Sequence, residues 1–320
     1  MTRLRGAALL LVLTVTEAAG ADGYPSRPIR FVVSSAPGGT QDAVARLVGN
    51  QLSGQLGQQV VIDNRGGGNG TIGCDIVARA VGDGYTLLYA ATAFAIMPGV
   101  VKSLPFDVVR DFIPITRIGV LEGALLLVNP SLQAQNVREL IELAKQRSLS
   151  YGSPGVGNSL HLMAELFNVS AGTHMVHVPY KGAGPSMNAL LSNEIQMIFI
   201  PPTVAVPYVR SGRLRALGYS GTQRLSALPD LPTVAEAGLP GFGMDLGWQA
   251  LFAPARTPDA VVQKIYSETK RALDTPKLRE YLLASGYAPK GETPAEFKRI
   301  FLADIRRYAD LTRAARIEPE

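Results

Sequence analysis

Ile29-Arg30-Phe31-Val32-Val33-Ser34-Ser35-Ala36-Pro37-Gly38-Gly39-Thr40-Gln41-Asp42 is the stretch on which the fold turns. Its first five residues are a short apolar run that reads as a buried strand. Two adjacent glycines then break the chain, and Val44, Leu47, Val48 and Leu52 follow at helical spacing. Ser150-Tyr151-Gly152-Ser153-Pro154-Gly155-Val156-Gly157-Asn158-Ser159 repeats the grammar far downstream, with Leu160, Met163, Ala164 and Phe167 on the helical face that follows. A strand, a glycine turn and a helix N-terminus together present outward-pointing N–H groups and the positive end of a helix dipole, an arrangement that suits an anion. Two such turns in separate halves of one chain imply one small anion gripped from both sides.

Outward from these loops, strand and helix patterns alternate. Strands are expected at residues 60–63, 85–89, 125–129, 150–152, 175–178, 195–200, 214–219 and 248–252, with helices between most of them and a long final helix over 294–314. Such alternation predicts parallel sheets covered by helices on both faces. The tail after residue 252 has no sheet of its own and should pack back on the first half. The expected layout is a leader at 1–21, a first domain at 22–124, a second at 125–251, and a return segment at 252–320. The chain then crosses twice between domains, which makes a hinge.

The leader follows from Arg3 and Arg5, the apolar run at 7–15 and the small residues Ala19-Gly20-Ala21. That run falls short of the ~20 residues needed to span a bilayer. An exported, periplasmic protein cleaved near Ala21 is expected. The chain of 320 residues carries 31 basic and 26 acidic side chains; removing Arg3, Arg5 and Glu17 with the leader leaves 29 against 25. No basic run or aromatic interleaving accompanies that mild excess, so nucleic-acid binding finds no support. The single cysteine, Cys74, sits in an apolar helical pattern and reads as a buried thiol.

Catalytic constellations are scarce. Only His161, His174 and His177 are present, no spacing suits a metal, and no serine sits in a Gly-x-Ser-x-Gly elbow. Gly68-Asn69-Gly70-Thr71-Ile72-Gly73 matches the dinucleotide fingerprint, but the next strand ends Tyr89-Ala90-Ala91-Thr92 without the acid that would hold a ribose. These glycines are read as tight turn and close helix–strand contact, and no cofactor is expected. In the first loop Thr40 suits an N-cap. Asp42 would repel a carboxylate, so it either satisfies N-terminal N–H groups or meets the ligand through water.

An ordered series of short motifs carries a family resemblance over essentially the whole mature chain. It runs through Tyr24-Pro25-Ser26-Arg27-Pro28-Ile29, Ala36-Pro37-Gly38-Gly39 with Asp42, Asn64-Arg65, Asp83-Gly84-Tyr85-Thr86-Leu87 and Leu104-Pro105-Phe106-Asp107. It continues through His177-Val178-Pro179-Tyr180-Lys181-Gly182, Gly212-Arg213-Leu214-Arg215-Ala216-Leu217, Pro229-Asp230-Leu231-Pro232-Thr233-Val234-Ala235-Glu236-Ala237-Gly238 and Leu251-Phe252-Ala253-Pro254. The chain resembles the substrate-binding proteins of tripartite tricarboxylate transporters, the Bug or TctC family. The resemblance implies an α/β, periplasmic-binding-protein type II fold, a Venus flytrap that closes on a small organic carboxylate and works with membrane permease subunits. No catalysis is implied, and a monomer is expected. A ligand-sensing partner of a membrane sensor kinase would use the same flytrap and remains the other reading.

Carried over by the resemblance, ligand contacts come from Ala36, Gly38, Gly39 and Thr40, with Asp42 in the same motif, and from Gly155, Asn158 and Ser159 with His161 nearby. Lys181 either faces the cleft or is simply solvated. Two departures from the family pattern concern specificity. Ile200 stands where many members place an acid, and Phe94 where a polar residue often stands. Both are expected to make the cleft more apolar, favouring an aromatic or aliphatic carboxylate over an amino acid, whose buried ammonium would lack a counter-charge.

Overall fold

A computed structural model describes residues 23–314 together with 317 and 319. The expected leader and its cleavage point lie outside the described residues. The first part of the chain runs β1 (Ile29–Val33), α1 (Thr40–Leu56), β2 (Val60–Asn64), one 3₁₀ turn (Gly68–Gly70), α2 (Thr71–Ala78), β3 (Thr86–Ala91), α3 (Ala93–Val100) and β4 (Phe112–Leu121). The second runs β5 (Leu125–Val128), α4 (Val137–Gln146), β6 (Ser150–Ser153), α5 (Ser159–Ala171), β7 (Val176–Pro179), α6 (Ala183–Leu191), β8 (Met197–Ile200), α7 (Pro202–Arg210) and β9 (Arg215–Tyr219). The chain finishes with β10 (Gly247–Pro254), α8 (Asp259–Leu273), α9 (Pro276–Ala284), β11 (Tyr287–Pro289) and α10 (Pro294–Ala314).

These strands make two sheets, ordered β11-β4-β10-β3-β1-β2 and β7-β6-β8-β5-β9. Each sheet is mixed, which corrects the expectation of parallel sheets. Pairing is parallel where helical crossovers allow it, in β2-β1-β3 and β7-β6-β8. It is antiparallel around β10 and β5. The hinge is the cause. β4 leaves the first sheet and β10 re-enters beside it, with Leu121 opposite Gly247, so the outgoing and returning strands run in opposite directions. The whole of β10 pairs in the first sheet. The chain has therefore rejoined that sheet by Gly247, and the return expected at residue 252 falls inside a strand.

α10 lies against α3 and β4 and touches α5 of the second lobe. Its Asp304 accepts a hydrogen bond from the Trp248 indole N–H of β10 at 2.8 Å, both residues being buried. The long helix is thus pinned to the strand that crosses the hinge.

Candidate functional site

The first glycine loop is exposed from Ala36 to Thr40. Gly39, not Thr40, is the N-cap of α1, and no side chain caps this end. Thr40 is the first helical residue, so its hydroxyl stands one position too late. Asp42 turns back from the first turn: its Oδ2 accepts the Gly38 N–H at 2.9 Å, a contact related to the capping box. Its other oxygen pairs with Arg46 at 2.9 Å. Arg46 also donates to Asn64 Oδ1 at 3.1 Å, and Asn64 donates to the Ser35 carbonyl at 3.3 Å. Burial pushes the Asp42 carboxyl up, but the Gly38 N–H, Arg46 and Asn64 together hold it below the usual carboxylate range. Asp42 is therefore a brace for the loop. The Gly38 N–H, expected on a ligand, is committed to it.

The glycine-rich turn behind this loop is a packing device. A Cβ on Gly66 would stand 2.7 Å from the Ala36 nitrogen, and one on Gly73 would stand 2.8 Å from the Arg65 carbonyl oxygen. Gly70, at φ +94°, approaches the Ser34 carbonyl and Met97. Close approach of this kind is what the fingerprint-like spacing supplies here. In the neighbouring α2, Cys74 is buried, which pushes its thiol up to about 12.

The second loop is held differently. Asn158 caps α5, its side-chain oxygen accepting the Leu160 N–H at 3.0 Å. Gly157, at φ +73°, donates its N–H to His161 Nδ1 at 3.1 Å. The His161 ring stacks on His177 at 3.8 Å between centroids, and His177 in turn stacks on Tyr151 at 5.0 Å. Ser153 Oγ lies 2.7 Å from His177 Nε2 and also bonds Gly155. The Tyr151 hydroxyl donates to Glu165, one turn beyond His161 on α5. Burial lowers both imidazoles to about 4, the nearby His177 adding to the effect on His161. His161 is thus a buried support beneath the loop and not a cleft wall. The sequence reading left His177 out of the site. Its signal was the strand pairing, since Tyr151 and His177 are register partners on β6 and β7.

A cavity of about 340 Å³ lies between the two lobes. Pro154, Gly155, Val156, Gly157 and Asn158 form one wall; Asn69, Ala93, Ile96, Met97, Val100 and Ile317 form the other. Gly155 and Asn158 are thereby brought opposite the first lobe. Ala36, Gly38, Gly39, Thr40, Ser159 and the exposed Lys181 do not line it. Loop 36–40 is linked to it through the turn at 66–70, which backs the loop and carries Asn69.

Phe94 and Ile200 are corrected outright. The Phe94 side chain points into the first lobe, ringed by Phe112 at 4.9 Å, Phe252 at 5.0 Å and Phe301 at 5.5 Å. Ile200 is buried with Leu125 and Leu127 in the second lobe. Neither touches the cavity, because α3 rotates Phe94 away from Ala93 and the β8 alternation turns Ile200 into its own sheet's core.

A larger cleft of about 680 Å³ beside the hinge carries Arg117, Arg224, Lys290 and Arg307. Each is already paired, with Glu292, Glu236, Glu122 and Asp304 respectively, so it offers an anion little net field. The smaller cavity carries no such ion pairs, and the loop before α5 that forms one wall has its Gly155, Gly157 and Asn158 N–H groups bonded to Ser153, His161 and the Gly155 carbonyl. Among the described residues no group of three or more His, Cys, Asp or Glu is placed to hold a metal.

Two α/β lobes joined by paired crossing strands, with a glycine loop at a helix N-terminus in each, have the architecture of a solute-binding receptor. Such a protein binds and releases its ligand unchanged. Residues 44–315 match the model of the tripartite tricarboxylate transporter family receptor, TctC, and the chain belongs to that family. It is 35% identical over 96% of its length to a protein from the tcbD–tcbE intergenic region of Pseudomonas sp. strain P51, of which it covers 92%. Among solved structures, it resembles Rpa4515 of R. palustris with adipate (TM-score 0.76, 32% identity, covering 93% of this chain and 100% of that one). It also resembles MatC of Rhodopseudomonas palustris with bound malate (TM-score 0.71, 29% identity, covering 90% and 100%). The chain is thus a periplasmic transport receptor of this family and not an enzyme.

Proposed function

We propose that this receptor captures a small organic carboxylate with an apolar body by domain closure and delivers it, as a monomer, to the permease subunits of a tripartite transporter. The carrying observation is the composition of the inter-lobe cavity. One wall is the backbone of the loop before α5, suited to a carboxylate; Ile96, Met97, Val100, Val156 and Ile317 supply apolar surface around it. Phe94 and Ile200 no longer carry this reading; α3 and Ile317 do. The relatives solved with adipate and malate support a carboxylate in general. The exposed backbone at Ala36, Gly39 and Thr40 is proposed to close on the ligand from the first lobe, with Gly155, Asn158 and Ser159 on the second.

A thermal-shift screen across mono-, di- and tricarboxylates tests the reading. A ligand at 100 times its dissociation constant stabilises by about 2.7 kcal/mol. Adipate- or benzoate-like acids are expected to raise the melting temperature. Tight binding of citrate or aspartate with no response to the apolar acids would overturn the apolar part.

A further inference from the structure

The loop at residues 153–159 rests on a support that ligand binding alone does not explain. Beneath it lie two imidazoles in van der Waals contact, a tyrosine stacked on the second, and a glutamate beside the first. Each ring is bonded to the loop or to the residue that opens it: His161 Nδ1 to the Gly157 N–H, and His177 Nε2 to Ser153 Oγ.

We propose that His161 and His177 are positioning residues that hold this loop in its ligand-receiving geometry, and that His161 does so only as a neutral ring. What the loop receives rests on the function proposed above; how the loop is held does not.

Atom roles carry the argument. Gly157 presents a donor, so His161 Nδ1 must be an acceptor and the ring proton must sit on Nε2. A protonated His161 would turn N–H toward N–H and break the contact that fixes Gly157 at its left-handed φ. The stack adds a second constraint. At 3.8 Å between centroids, two imidazolium rings would face each other in a buried site.

The titratable groups around the pair are few. From α5 comes Glu165, whose Oε1 is 3.8 Å from His161 Nε2 and also accepts the Tyr151 hydroxyl of β6. From β7 comes His177 itself. Among the described residues no group of α10, which also packs on α5, bonds or pairs with either ring. Both rings titrate near 4, so the support is intact at neutral pH and lost as the pH falls through that value.

The test is the hydrogen-exchange protection factor of the Gly157 amide, followed from pH 7 to pH 3.5 in the wild type and two variants. His161→Phe keeps a buried ring without an acceptor. His161→Asn places an oxygen near the position of Nδ1 but cannot become a cation. The wild type is expected to lose protection through pH 4. His161→Phe should lose it at every pH, by tenfold or more, and His161→Asn should keep it throughout. Gly157 protection within twofold of wild type in His161→Phe would overturn the proposal, and so would an acid loss that persists unchanged in His161→Asn. If the Phe variant does not fold, the Asn profile decides alone.

Calorimetry with adipate adds an affinity arm, with about tenfold weaker binding expected for His161→Phe at pH 7. Comparing variants at one pH removes the titration of adipate itself. Absence of adipate binding to the wild type counts against the ligand reading only, because the exchange measurement needs no ligand.

Discussion

The loop at 36–40 is braced by a carboxylate, and the loop at 153–159 by a pair of neutral imidazoles. Both join a strand to a helix N-terminus through glycines, yet Asp42 holds Gly38 as an anion while His161 holds Gly157 as an uncharged acceptor. The same backbone problem, an N–H left over before a helix, is solved with opposite demands on protonation. The two loops should therefore fail in different pH windows. Acid should disturb the loop at 153–159 first.

That difference gives the largest expected effect. The histidines titrate near 4 when folded and near 6.5 when unfolded, so between those values the unfolded chain binds more protons. Their contribution to stability is full above about 6.5, declines as the pH falls toward 4, and changes no further below it. Asp42 is held below the usual 3.8, so its contribution is present above that value and is lost only at lower pH. Urea midpoints measured from pH 7 to pH 3 should fall along the histidine segment. In His161→Phe/His177→Phe that segment should flatten, and in Asp42→Asn it should survive unchanged. An unaltered slope in the double variant would erase the contrast between the loops.

Gly66→Ala probes how rigidly the first loop is backed. The new Cβ would meet backbone, the Ala36 nitrogen at 2.7 Å and the Ser35 carbonyl carbon at 2.9 Å, and neither can swing aside as a side chain could. Overpacking of this kind costs about 3 kcal/mol. Equilibrium unfolding reads it, and a loss below about 1 kcal/mol would mean the loop gives way freely.

Much of this architecture was legible in the residues, and the misses have physical reasons. β1 and α10 occupy the stretches their patterns predict, 29–33 and 294–314. β4 escaped because nearly all of residues 112–121 are buried on both faces, leaving no alternation to read. The return was set at 252, the end of the strand expected at 248–252, whereas that whole strand pairs with β4 from Gly247 onward, a partnership no local pattern shows. The glycine loops themselves were visible; what fills the space behind them was not. Phe94 is one residue from Ala93, which lines the cavity, and a helix turns successive side chains by about 100°. Proximity in sequence to a site residue therefore said nothing of direction. The partner of Asp42 is only four residues away, and that brace could be offered from sequence as one of two alternatives. The His161–His177 stack needs a strand register that no local pattern supplies.

Asn158→Ala measures the smaller part of the second loop's support. It removes the oxygen that accepts the Leu160 N–H and should cost about 1 kcal/mol, the usual price of a lost N-cap. Gly157 should stay protected from exchange in this variant, since its bond goes to His161 and not to the cap. Simultaneous loss of both would make cap and imidazoles a single device.

Gly39→Val has the smallest effect on the fold and bears most on the clamp. Gly39 adopts φ −84°, ψ 172°, extended backbone open to any residue, and an added Cβ meets nothing within 4 Å. Valine is a poorer N-cap than glycine, but it restricts the unfolded chain, and the two effects offset to within about 0.5 kcal/mol. The apo protein should unfold at the wild-type midpoint. A carboxylate drawn against this helix start would meet an isopropyl group where backbone is now bare, so the ligand-induced thermal shift should vanish. If the shift survives, the first loop takes no part in binding. Capture would then belong to the cavity between α3 and the loop before α5, and the likeness of the two glycine loops would be one of folding alone.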